Sequence, residues 1–360
     1  MSVIALAAGG TAGHIEPAIA CAKAIKELDN KAEVFIVGTS KGLERNLVPQ
    51  RGIELALIPA TPLPRRLSLA TLSLPFRLLA AKRIAQQLLV DRKVDCVIGF
   101  GAYVSLPMYL AAKKLNIPVI IHEGNKKAGL ANRVGSKFAQ EIFQMFPNSI
   151  KGAKTIGMPL RTEISNLNKE LSRNNARVSF GLEPNKPTLL VFGGSQGATS
   201  INKTIAASLQ ELQSLNIQIL HALGSKNTVD ESTKKFDFYH PVSYIEKMEL
   251  AYAAADLVIS RAGAMTIAEQ TVLAMPAIYV PFASGNGEQS QNVAELVKDG
   301  GGVVISDAEI SPAVLVRQIK ELLANPAKLN EMSQAASRHG LRDADKKVAQ
   351  SALALANDYK

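Results

Sequence analysis

The chain contains no tryptophan, only two cysteines and few aromatic residues of any kind, since aromatic side chains make up 5% of its 360 residues. With so few aromatic residues, the core has to be built from Ala, Leu, Ile and Val. The two cysteines, Cys21 and Cys96, lie in apolar stretches and lack the spacing of metal ligands. The sequence therefore predicts buried free thiols in a reducing compartment, without a disulfide framework.

Long apolar runs are also missing. The first run, at residues 3–8, has no basic residue before it and is too short for the core of a signal peptide or a spanning helix. No later run reaches about 18 uninterrupted apolar residues. We therefore expect no membrane-spanning segment, and a cytoplasmic protein unless it docks on a membrane from outside.

Negative charge is scarce in the first half of the chain. Residues 1–160 hold 21 Lys and Arg against 10 Asp and Glu, a net charge of +11, whereas residues 161–360 hold 20 against 21. This asymmetry predicts an anionic partner for the first half: nucleic acid, anionic lipid or a phosphorylated substrate. The basic half lacks the interleaved aromatic residues on which bases stack, so nucleic acid is not expected.

The length predicts two domains, at about 150 residues each. Short β-rich runs alternate with helical stretches, the pattern of parallel sheets with crossover helices. Strands are expected at residues 3–8, 33–37, 55–58, 96–99, 119–122, 141–144, 188–192, 218–222, 238–240, 257–260, 277–280 and 302–305. The fold class is thus α/β with two doubly wound, Rossmann-like domains. We expect them at residues 1–157 and 158–340, joined near Gly157 and Pro159, with a final helix at 341–360 that can return to the first domain.

Both predicted domains open on similar glycine-rich turns. One reads Gly-Gly-Thr-Ala-Gly at residues 9–13, and the other reads Gly-Gly-Ser-Gln-Gly at residues 193–197. Backbone N–H groups in such a turn at a helix N-terminus can bind an anion. Either turn alone also fits a tight connection that binds nothing. Two of them, at the edge where open α/β sheets bind ligands, favour a nucleotide site, although neither has dinucleotide or ATP-binding spacing.

Two predicted helix starts carry side chains that could accept a proton or bind a ligand. His14 follows the first glycine turn, with Pro17 expected in the first turn of the helix, and is either a proton acceptor or a capping and packing histidine. Thr266 and Glu269 have capping-box spacing, so a helix is expected to begin there. That stretch is either a plain capping box or a site where helix N–H groups bind a phosphate and Glu269 binds ribose hydroxyls.

Six segments, in order along nearly the whole chain, together resemble one family: GGTAGHIEPAIA, GAYVS, HEGN, MPLRTE, GGSQGA and SRAGAMTIAE. It is the MurG family of peptidoglycan glycosyltransferases. The resemblance implies a GT-B fold with two domains facing across a cleft. It implies inverting, metal-independent transfer of N-acetylglucosamine from UDP-N-acetylglucosamine to the 4-hydroxyl of the muramyl sugar in lipid I, forming lipid II, with no cofactor. It also implies peripheral attachment to the cytoplasmic face of the cell membrane and a part in cell-wall biogenesis, cell shape and cell division.

The resemblance also implies roles for individual residues. Near the sugar end of the donor it places Thr11, Ala12, Gly13 and Asn125, and near the diphosphate it places Arg161 and Ser195. The uracil is expected to meet the backbone of Ile245, and the sugar hydroxyls to meet Gln289. The phosphate and ribose are expected at Ala264, Met265, Thr266, Ile267, Ala268 and Glu269. His14 is the candidate catalytic base, and no metal ligands are expected. The chain departs from the family's pattern at Ala12, Gly124 and Met158, where Gly, Gln and Asn are usual.

Two other classes of function fit parts of the sequence. A UDP-sugar epimerase on the same fold would need carboxylates or histidines beside the sugar for proton abstraction, and Glu16 and Glu123 are the main candidates in the first half. A non-enzymatic basic module would bind nucleic acid or a membrane through the first half alone. A transfer assay with UDP-N-acetylglucosamine and a lipid I analogue separates these classes.

One basic and apolar stretch, residues 62–83, bears on the membrane. It mixes Leu and Phe residues with five basic residues, and its prolines and polar residues argue against a spanning helix. On its own it fits a loop followed by an amphipathic core helix. Together with the charge asymmetry and the lipid-linked acceptor that the resemblance implies, it predicts peripheral binding of the first domain to an anionic membrane surface, with Leu72, Leu74 and Phe76 inserted.

Overall fold

The computed structural model describes residues 1–60, 73–283 and 287–359. They form two compact units, one made of Met1–Arg161 with Leu341–Lys360 and the other of Thr162–Gly340. No helix within these described ranges combines the length and the apolar composition needed to cross a membrane.

The first unit is built on a parallel sheet of seven strands in the order β3-β2-β1-β4-β5-β6-β7. The strands are β1 Val3–Ala7, β2 Glu33–Gly38, β3 Glu54–Leu57, β4 Cys96–Gly99, β5 Val119–Glu123, β6 Glu141–Gln144 and β7 Lys154–Thr155. All five residues of β1 are buried. This continuous apolar strand is typical of a parallel sheet that is covered by helices on both faces.

Helices cover both faces of this sheet. They are α1 Ala12–Leu28, α2 Glu44–Gln50, α3 Leu74–Asp91, α4 Ala102–Leu115, α5 Leu130–Gly135 and, at the end of the chain, α14 Ala344–Asp358. Ile4 and Leu6 of β1 face a core shared with α1 and α14, and Ala5 and Ala7 face the core shared with α3 and α4. The period of two in the strand therefore assigns alternate residues to two separate cores.

The C-terminal helix α14 completes the first unit. Val348, Ala349 and Ala352 of this helix are fully buried in the same core as Ile15 and Ile19 of α1. Small alanine side chains allow the two helices to pack closely, which is how a core poor in aromatic residues reaches close packing. The chain thus leaves the first unit after Arg161 and returns to it at Leu341.

Both cysteines lie in this unit. Cys21 and Cys96 are free and completely buried, as predicted. Burial raises the pKa of both thiols above the ordinary value, because the charged thiolate is disfavoured away from water. The two side chains therefore contribute to packing as small apolar groups.

The second unit repeats the architecture with six parallel strands in the order β10-β9-β8-β11-β12-β13. The strands are β8 Thr188–Phe192, β9 Gln218–Ala222, β10 Tyr239–Val242, β11 Leu257–Ser260, β12 Ala277–Tyr279 and β13 Val303–Val304. The α-helices are α6 Thr162–Ser165, α7 Lys169–Ser179, α8 Thr199–Leu212, α9 Met248–Ala254, α10 Ala264–Val272, α11 Glu288–Lys298, α12 Pro312–Leu323 and α13 Pro326–Ser337. Short 3₁₀ turns lie at Gln213–Leu215 and Glu231–Lys235.

The strand order reverses at one point in each sheet. The reversal lies between β1 and β4 in the first sheet and between β8 and β11 in the second. Ligands of open α/β sheets bind beside the carboxyl ends of the strands at such a switch point. The glycine turns follow β1 and β8, so each occupies this position in its own unit.

The prediction of two doubly wound α/β domains is confirmed, and each of the twelve predicted strands corresponds to an observed one. The additional strand β7 was not predicted, because its two residues are exposed and carry no apolar pattern. It is defined by pairing with β6 alone.

Candidate active site

The turn after β1 leads directly into α1. Gly10 has a positive φ of 85°, which glycine adopts without strain. The helix begins at Ala12, with Thr11 as its N-cap, so Thr11, Ala12 and Gly13 form the entry to the helix. The prediction for Pro17 was wrong in position: because the helix begins at Ala12, Pro17 lies in its second turn.

His14 lies in the first turn of α1. Its Nδ1 is 3.1 Å from Oγ1 of Thr11, and a Cβ placed on Gly101 would lie 3.6 Å from its Nε2. Gly101, the N-cap of α4, therefore lies close to this nitrogen. Burial lowers the pKa of His14 below its ordinary value of 6.5, because the imidazolium is disfavoured when it loses water. A lowered pKa favours the neutral imidazole, which is the form that can accept a proton.

Glu44 stabilises the first glycine turn by accepting a hydrogen bond from it. It is fully buried, and its Oε2 accepts a hydrogen bond from the backbone N–H of Gly10 at 2.9 Å. Its Oε1 accepts from the N–H and the hydroxyl of Thr39, each at 2.8 Å. A Cβ on Gly42 would lie 1.8 Å from Oε2, so this carboxylate fits only because glycine surrounds it. Glu44 is not among the site residues predicted from the sequence, because its contact with Gly10 spans 34 positions of the chain.

Asn125 lies on a loop that is folded around the carboxylate of Glu123. Oε1 of Glu123 accepts from the N–H of Asn125 at 2.9 Å, and Oε2 accepts from the N–H of Gly129 at 3.0 Å. Oε2 also accepts from Nδ2 of Asn132 at 2.9 Å, and the hydroxyl of Tyr109 donates to Oδ1 of Asn132 at 2.7 Å. Glu123 is 3% exposed. This carboxylate shapes the loop, and its oxygens are engaged by backbone and amide donors.

Arg161 belongs to the first unit and lies beside α1. Its Nε is 4.0 Å from Oε2 of Glu16, and Nη2 of Arg51 is 3.5 Å from the other oxygen. Glu16 therefore pairs with two cations. Both carboxylates that the epimerase alternative requires, Glu16 and Glu123, serve in structural contacts, so the geometry disfavours proton abstraction by either of them.

Two of the departures from the family's pattern contact each other. A Cβ on Gly124 would lie 2.9 Å from Cε of Met158, which is closer than ordinary van der Waals contact. The end of the methionine side chain therefore lies beside the backbone of Gly124 and would have to shift if position 124 carried a side chain. The third departure, Ala12, is the first residue of α1, where a methyl group is compatible with the helix.

The turn after β8 repeats the arrangement in the second unit. Gly194 and Gly197 have positive φ angles of 96° and 79°, and a Cβ on Gly197 would lie 1.9 Å from the carbonyl oxygen of Leu223. Ser195 is exposed at the tip of this turn. Its carbonyl accepts from the N–H of Ser225 at 3.0 Å, which ties the turn to the loop after β9.

The prediction of a capping box at Thr266 and Glu269 was wrong. The helix α10 begins at Ala264, two residues earlier, with Gly263 as an extended N-cap. Ala264, Met265 and Thr266 therefore form its first turn, whose N–H groups lie at the positive end of the helix dipole. The side chains of Ile267 and Ala268 are buried in the core, and the N–H of Ile267 donates to the carbonyl of Gly263 at 3.0 Å.

Glu269 lies farther along α10 and is oriented by a tyrosine. Its Oε2 accepts from the hydroxyl of Tyr252 at 2.9 Å. Both residues are buried, with Glu269 8% exposed. A carboxylate held in this way has a fixed orientation in the unit.

Gln289 links two loops at the same edge of the second sheet. Its Oε1 accepts from the N–H of Ala262 at 3.2 Å and from the N–H of Phe282 at 2.9 Å. These contacts fix the orientation of the side-chain amide, in which Oε1 is the acceptor and Nε2 is the donor. Ile245 follows β10 and is 5% exposed.

Potential metal ligands were compared across the described parts of both units. Within residues 1–60, 73–283 and 287–359, no three His, Cys, Asp or Glu residues lie together in a way that could hold a metal ion. Metal-independent chemistry stays a prediction for the assay below.

Comparison with known proteins finds similarity to glycosyltransferases in both halves of the chain. The glycosyltransferase family 28 N-terminal domain matches residues 4–144, and the family 28 C-terminal domain matches residues 188–348. The UDP-N-acetylglucosamine--N-acetylmuramyl-(pentapeptide) pyrophosphoryl-undecaprenol N-acetylglucosamine transferase of Streptomyces avermitilis is 48% identical over 345 residues, 95% of either chain.

Solved structures extend the comparison to three dimensions. The crystal structure of MurG from Acinetobacter baumannii has a TM-score of 0.80 at 29% identity, covering 98% of this chain and 100% of that one. The UDP-GlcNAc 2-epimerase from Neisseria meningitidis, bound to UDP-GlcNAc, has a TM-score of 0.67 at 15% identity, covering 98% of this chain and 100% of that one. At that identity the epimerase shows a shared fold alone.

Proposed function

The chain belongs to the MurG family of UDP-N-acetylglucosamine-dependent glycosyltransferases, and from this membership we propose how its residues divide the reaction. It is a hexosyltransferase of peptidoglycan synthesis with two Rossmann-like domains of the GT-B type. The donor is UDP-N-acetylglucosamine, and the acceptor is the muramyl sugar of lipid I, whose product is lipid II. The UDP-sugar epimerase alternative is not favoured, because the relatives that share nearly half of the sequence are transferases.

The second unit binds the donor in this proposal. The observation that carries it is the N-terminus of α10 with Glu269 held by Tyr252 at 2.9 Å. The first-turn N–H groups at Ala264, Met265 and Thr266 would bind phosphate, and Glu269 would accept the ribose hydroxyls. The rest of the donor would meet residues that follow β8, β10 and β12 of the same sheet: Ser195 for the diphosphate, the backbone of Ile245 for the uracil and Gln289 for the sugar hydroxyls.

The first unit supplies the acceptor side and the base. Thr11, Ala12, Gly13 and Asn125 would lie near the transferred sugar, and Arg161 near the diphosphate. Nε2 of His14 would take the proton of the acceptor hydroxyl while that oxygen bonds to the anomeric carbon. The bond from this carbon to the diphosphate oxygen breaks on the opposite face, UDP leaves with the electron pair, and the configuration inverts. The lowered pKa of His14 supports this role.

The domain roles follow from this division. Residues 1–157 would form the acceptor and membrane-side domain, residues 158–340 the donor domain, and residues 341–360 a helix of the first domain. The packing of α14 against α1 supports the last assignment.

The acceptor side would meet the membrane through α3. The Streptomyces avermitilis relative is named for an acceptor with a pyrophosphoryl-undecaprenol group, which is a lipid. In α3, the side chains of Phe76 and Leu79 are 77% and 47% exposed, and Arg83 is exposed on the same helix. Leu72 lies outside the described residues, and Leu74 is half-buried. We expect peripheral binding of this face to the anionic cytoplasmic surface of the membrane, and no nucleic-acid partner.

The test is a transfer assay with radiolabelled UDP-N-acetylglucosamine and a lipid I analogue. The proposal expects labelled lipid II analogue, with full activity after EDTA treatment. The stereochemistry of the new bond should be inverted relative to the donor. Formation of an epimerised UDP-sugar in the absence of acceptor would instead support the epimerase alternative. A protein that neither binds UDP nor transfers sugar would overturn the proposal.

A further inference from the structure

A closed ring of three polar side chains lies at the carboxyl edge of the second sheet. Nη1 of Arg261 donates to Oδ1 of Asp307 at 2.5 Å, and the hydroxyl of Ser200 donates to the same oxygen at 2.6 Å. Nη2 of Arg261 donates to Oγ of Ser200 at 2.9 Å. The side chains of Arg261 and Asp307 are 11% and 20% exposed. Charge-assisted hydrogen bonds that are this well shielded are among the stronger polar contacts in proteins.

The ring joins segments that are far apart in the sequence. Ser200 is in the first turn of α8, directly after the second glycine turn. Arg261 precedes Gly263, the N-cap of α10. Nη1 of Arg261 also donates to the carbonyl of Val280 at 3.0 Å, at the end of β12, and Asp307 follows β13. The carboxyl ends of β8, β11, β12 and β13 are therefore tied together by one guanidinium and one carboxylate.

These segments are the ones that the proposed function assigns to the donor. The glycine turn carries Ser195, α10 carries Glu269, and the loop after β12 leads to Gln289. The guanidinium of Arg261 also lies over the ring of Phe282, with its carbon 5.4 Å from the ring centroid, so its contacts are within the protein. Its positive charge therefore stabilises the contacts between the loops that follow β11, β12 and β13.

We propose that Asp307 is a positioning residue for the donor: through Arg261 and Ser200 it fixes the distance between the second glycine turn and the N-terminus of α10, and so sets the affinity for the UDP moiety. This inference rests on the proposed function, because it takes those two segments as the diphosphate site. A diphosphate must contact N–H groups from both segments at once, and a shift of one against the other weakens both sets of contacts.

The ionisation state of Asp307 is compatible with this role. Burial raises the pKa of Asp307, whereas hydrogen bonds from Ser200 and Arg261 and the charge of Arg261 lower it, and the net pKa is below the ordinary value. The carboxylate is therefore ionised at neutral pH, as the ring requires.

The same sheet offers a matched control. Asp256, directly before β11, accepts from Nη1 of Arg173 at 2.5 Å and from Nη2 of Arg177 at 2.7 Å. Like Asp307, Asp256 accepts charge-assisted hydrogen bonds from arginine, but it lies at the amino end of β11, the end opposite Arg261. Asp256→Asn should thus reduce stability without moving the donor loops.

The experiment compares Asp307→Asn, Asp307→Ala and Asp256→Asn with the unchanged protein. UDP binding is measured by calorimetry, the KM values of both substrates by transfer assay, and folding by thermal melting. We expect both Asp307 variants to bind UDP about 10- to 100-fold more weakly and to raise the donor KM, with the acceptor KM unchanged. Ser200→Ala, which removes one member of the ring, should have a smaller effect in the same direction.

Two outcomes would overturn the inference. One is a folded Asp307→Asn protein that binds UDP as tightly as the unchanged protein does. The other is an equal loss of UDP affinity in Asp256→Asn, which would mean that the effect follows stability alone. Failure of the proposed function is distinguishable, because the unchanged protein would then not bind UDP.

Discussion

The hydroxyl of Tyr252, in α9, donates a hydrogen bond to Oε2 of Glu269, in α10, at 2.9 Å. Tyr252 is fully buried and its ring packs edge-on against Phe192, with ring centroids 6.0 Å apart. The carboxylate is therefore oriented by a tyrosine that the packing of the unit holds in place. Such a prepared acceptor loses little freedom when a ligand binds.

This relationship yields the first prediction, on donor affinity. Glu269→Ala should weaken UDP-N-acetylglucosamine binding by about 1.5–3 kcal/mol, because charge-assisted hydrogen bonds to the ribose are lost. Tyr252→Phe keeps the ring packing and removes only the donor to Oε2, so its effect should be about 0.5–1.5 kcal/mol. Calorimetric titration with UDP-N-acetylglucosamine measures both changes. Unchanged donor affinity in a folded Glu269→Ala protein would reject the assignment of Glu269 to the ribose.

The second prediction concerns His14. Replacing it with alanine should lower kcat by about 10²- to 10⁴-fold, the usual loss when a general base is removed, while UDP affinity stays nearly constant. Since burial lowers the pKa of His14, the base form persists to lower pH than for a free histidine. The acidic limb of the kcat/KM profile should therefore have an apparent pKa below 6.5.

A neighbouring variant provides the control for His14. Thr11→Val removes the hydroxyl that lies 3.1 Å from Nδ1 but leaves the imidazole in place. We expect a smaller loss of kcat and a shifted acidic limb, because the contact to Nδ1 influences the basicity of Nε2. Full turnover by His14→Ala would identify His14 as a structural residue, and an acidic limb that remains in that variant would belong to another group.

The strands and the glycine turns could be predicted because their signals are local. Each observed strand with a buried face is a short apolar run bounded by turn residues, and β1 and β8 run into glycines that the chain needs for positive φ. The strand β7, with exposed Lys154 and Thr155, carries no such signal. Helix starts were less well predicted: at Gly263, the cap is an extended backbone without a side-chain hydrogen bond, so no capping residue marks it.

Glu44 and Asp307, which stabilise the loops of the site through hydrogen bonds, could not be predicted in the same way. Glu44 contacts Gly10 across 34 positions, and Asp307 contacts Arg261 across 46. Their roles depend on which loops the parallel sheet brings together, and a single sequence gives no signal for that pairing. A buried carboxylate such as Glu44 looks like an ordinary surface glutamate until its glycine surroundings are known.

The third prediction concerns Glu44 and the stability of the first unit. Glu44→Ala leaves the N–H of Gly10 and the donors of Thr39 without their buried acceptor, which should cost about 2–5 kcal/mol in the free energy of unfolding. The exposed Glu27 on α1 is the matched control, and Glu27→Ala should change stability by less than about 0.5 kcal/mol. Chemical denaturation gives the energies. Amide hydrogen exchange at Gly10 and Thr39 should accelerate in Glu44→Ala, and unchanged protection there would contradict the proposed support of the glycine turn.

The last prediction concerns the membrane. Phe76 and Leu79 expose apolar surface on α3 within a unit that carries a net positive charge. Basic residues near an anionic leaflet contribute about 1 kcal/mol each, and an inserted Phe or Leu adds about 1.5–3 kcal/mol. Replacing Phe76 and Leu79 with Ser should therefore release the protein from anionic vesicles in a co-sedimentation assay, while UDP binding is retained. The matched control is Leu171→Ser with Val178→Ser, since these residues are 80% and 67% exposed on α7 of the other unit.

Salt and lipid composition separate the two contributions to this binding. High salt should weaken association with anionic vesicles, because the Debye length falls from about 10 Å at 0.1 M to about 3 Å at 1 M. The Phe76 and Leu79 replacements should instead reduce binding at every salt concentration, because burial of apolar surface is not screened. Equal binding to neutral and anionic vesicles would remove the electrostatic contribution. If the Leu171 and Val178 variant were released as readily as the Phe76 and Leu79 variant, α3 would not be the contact, and the acceptor would have to reach the first unit by another surface.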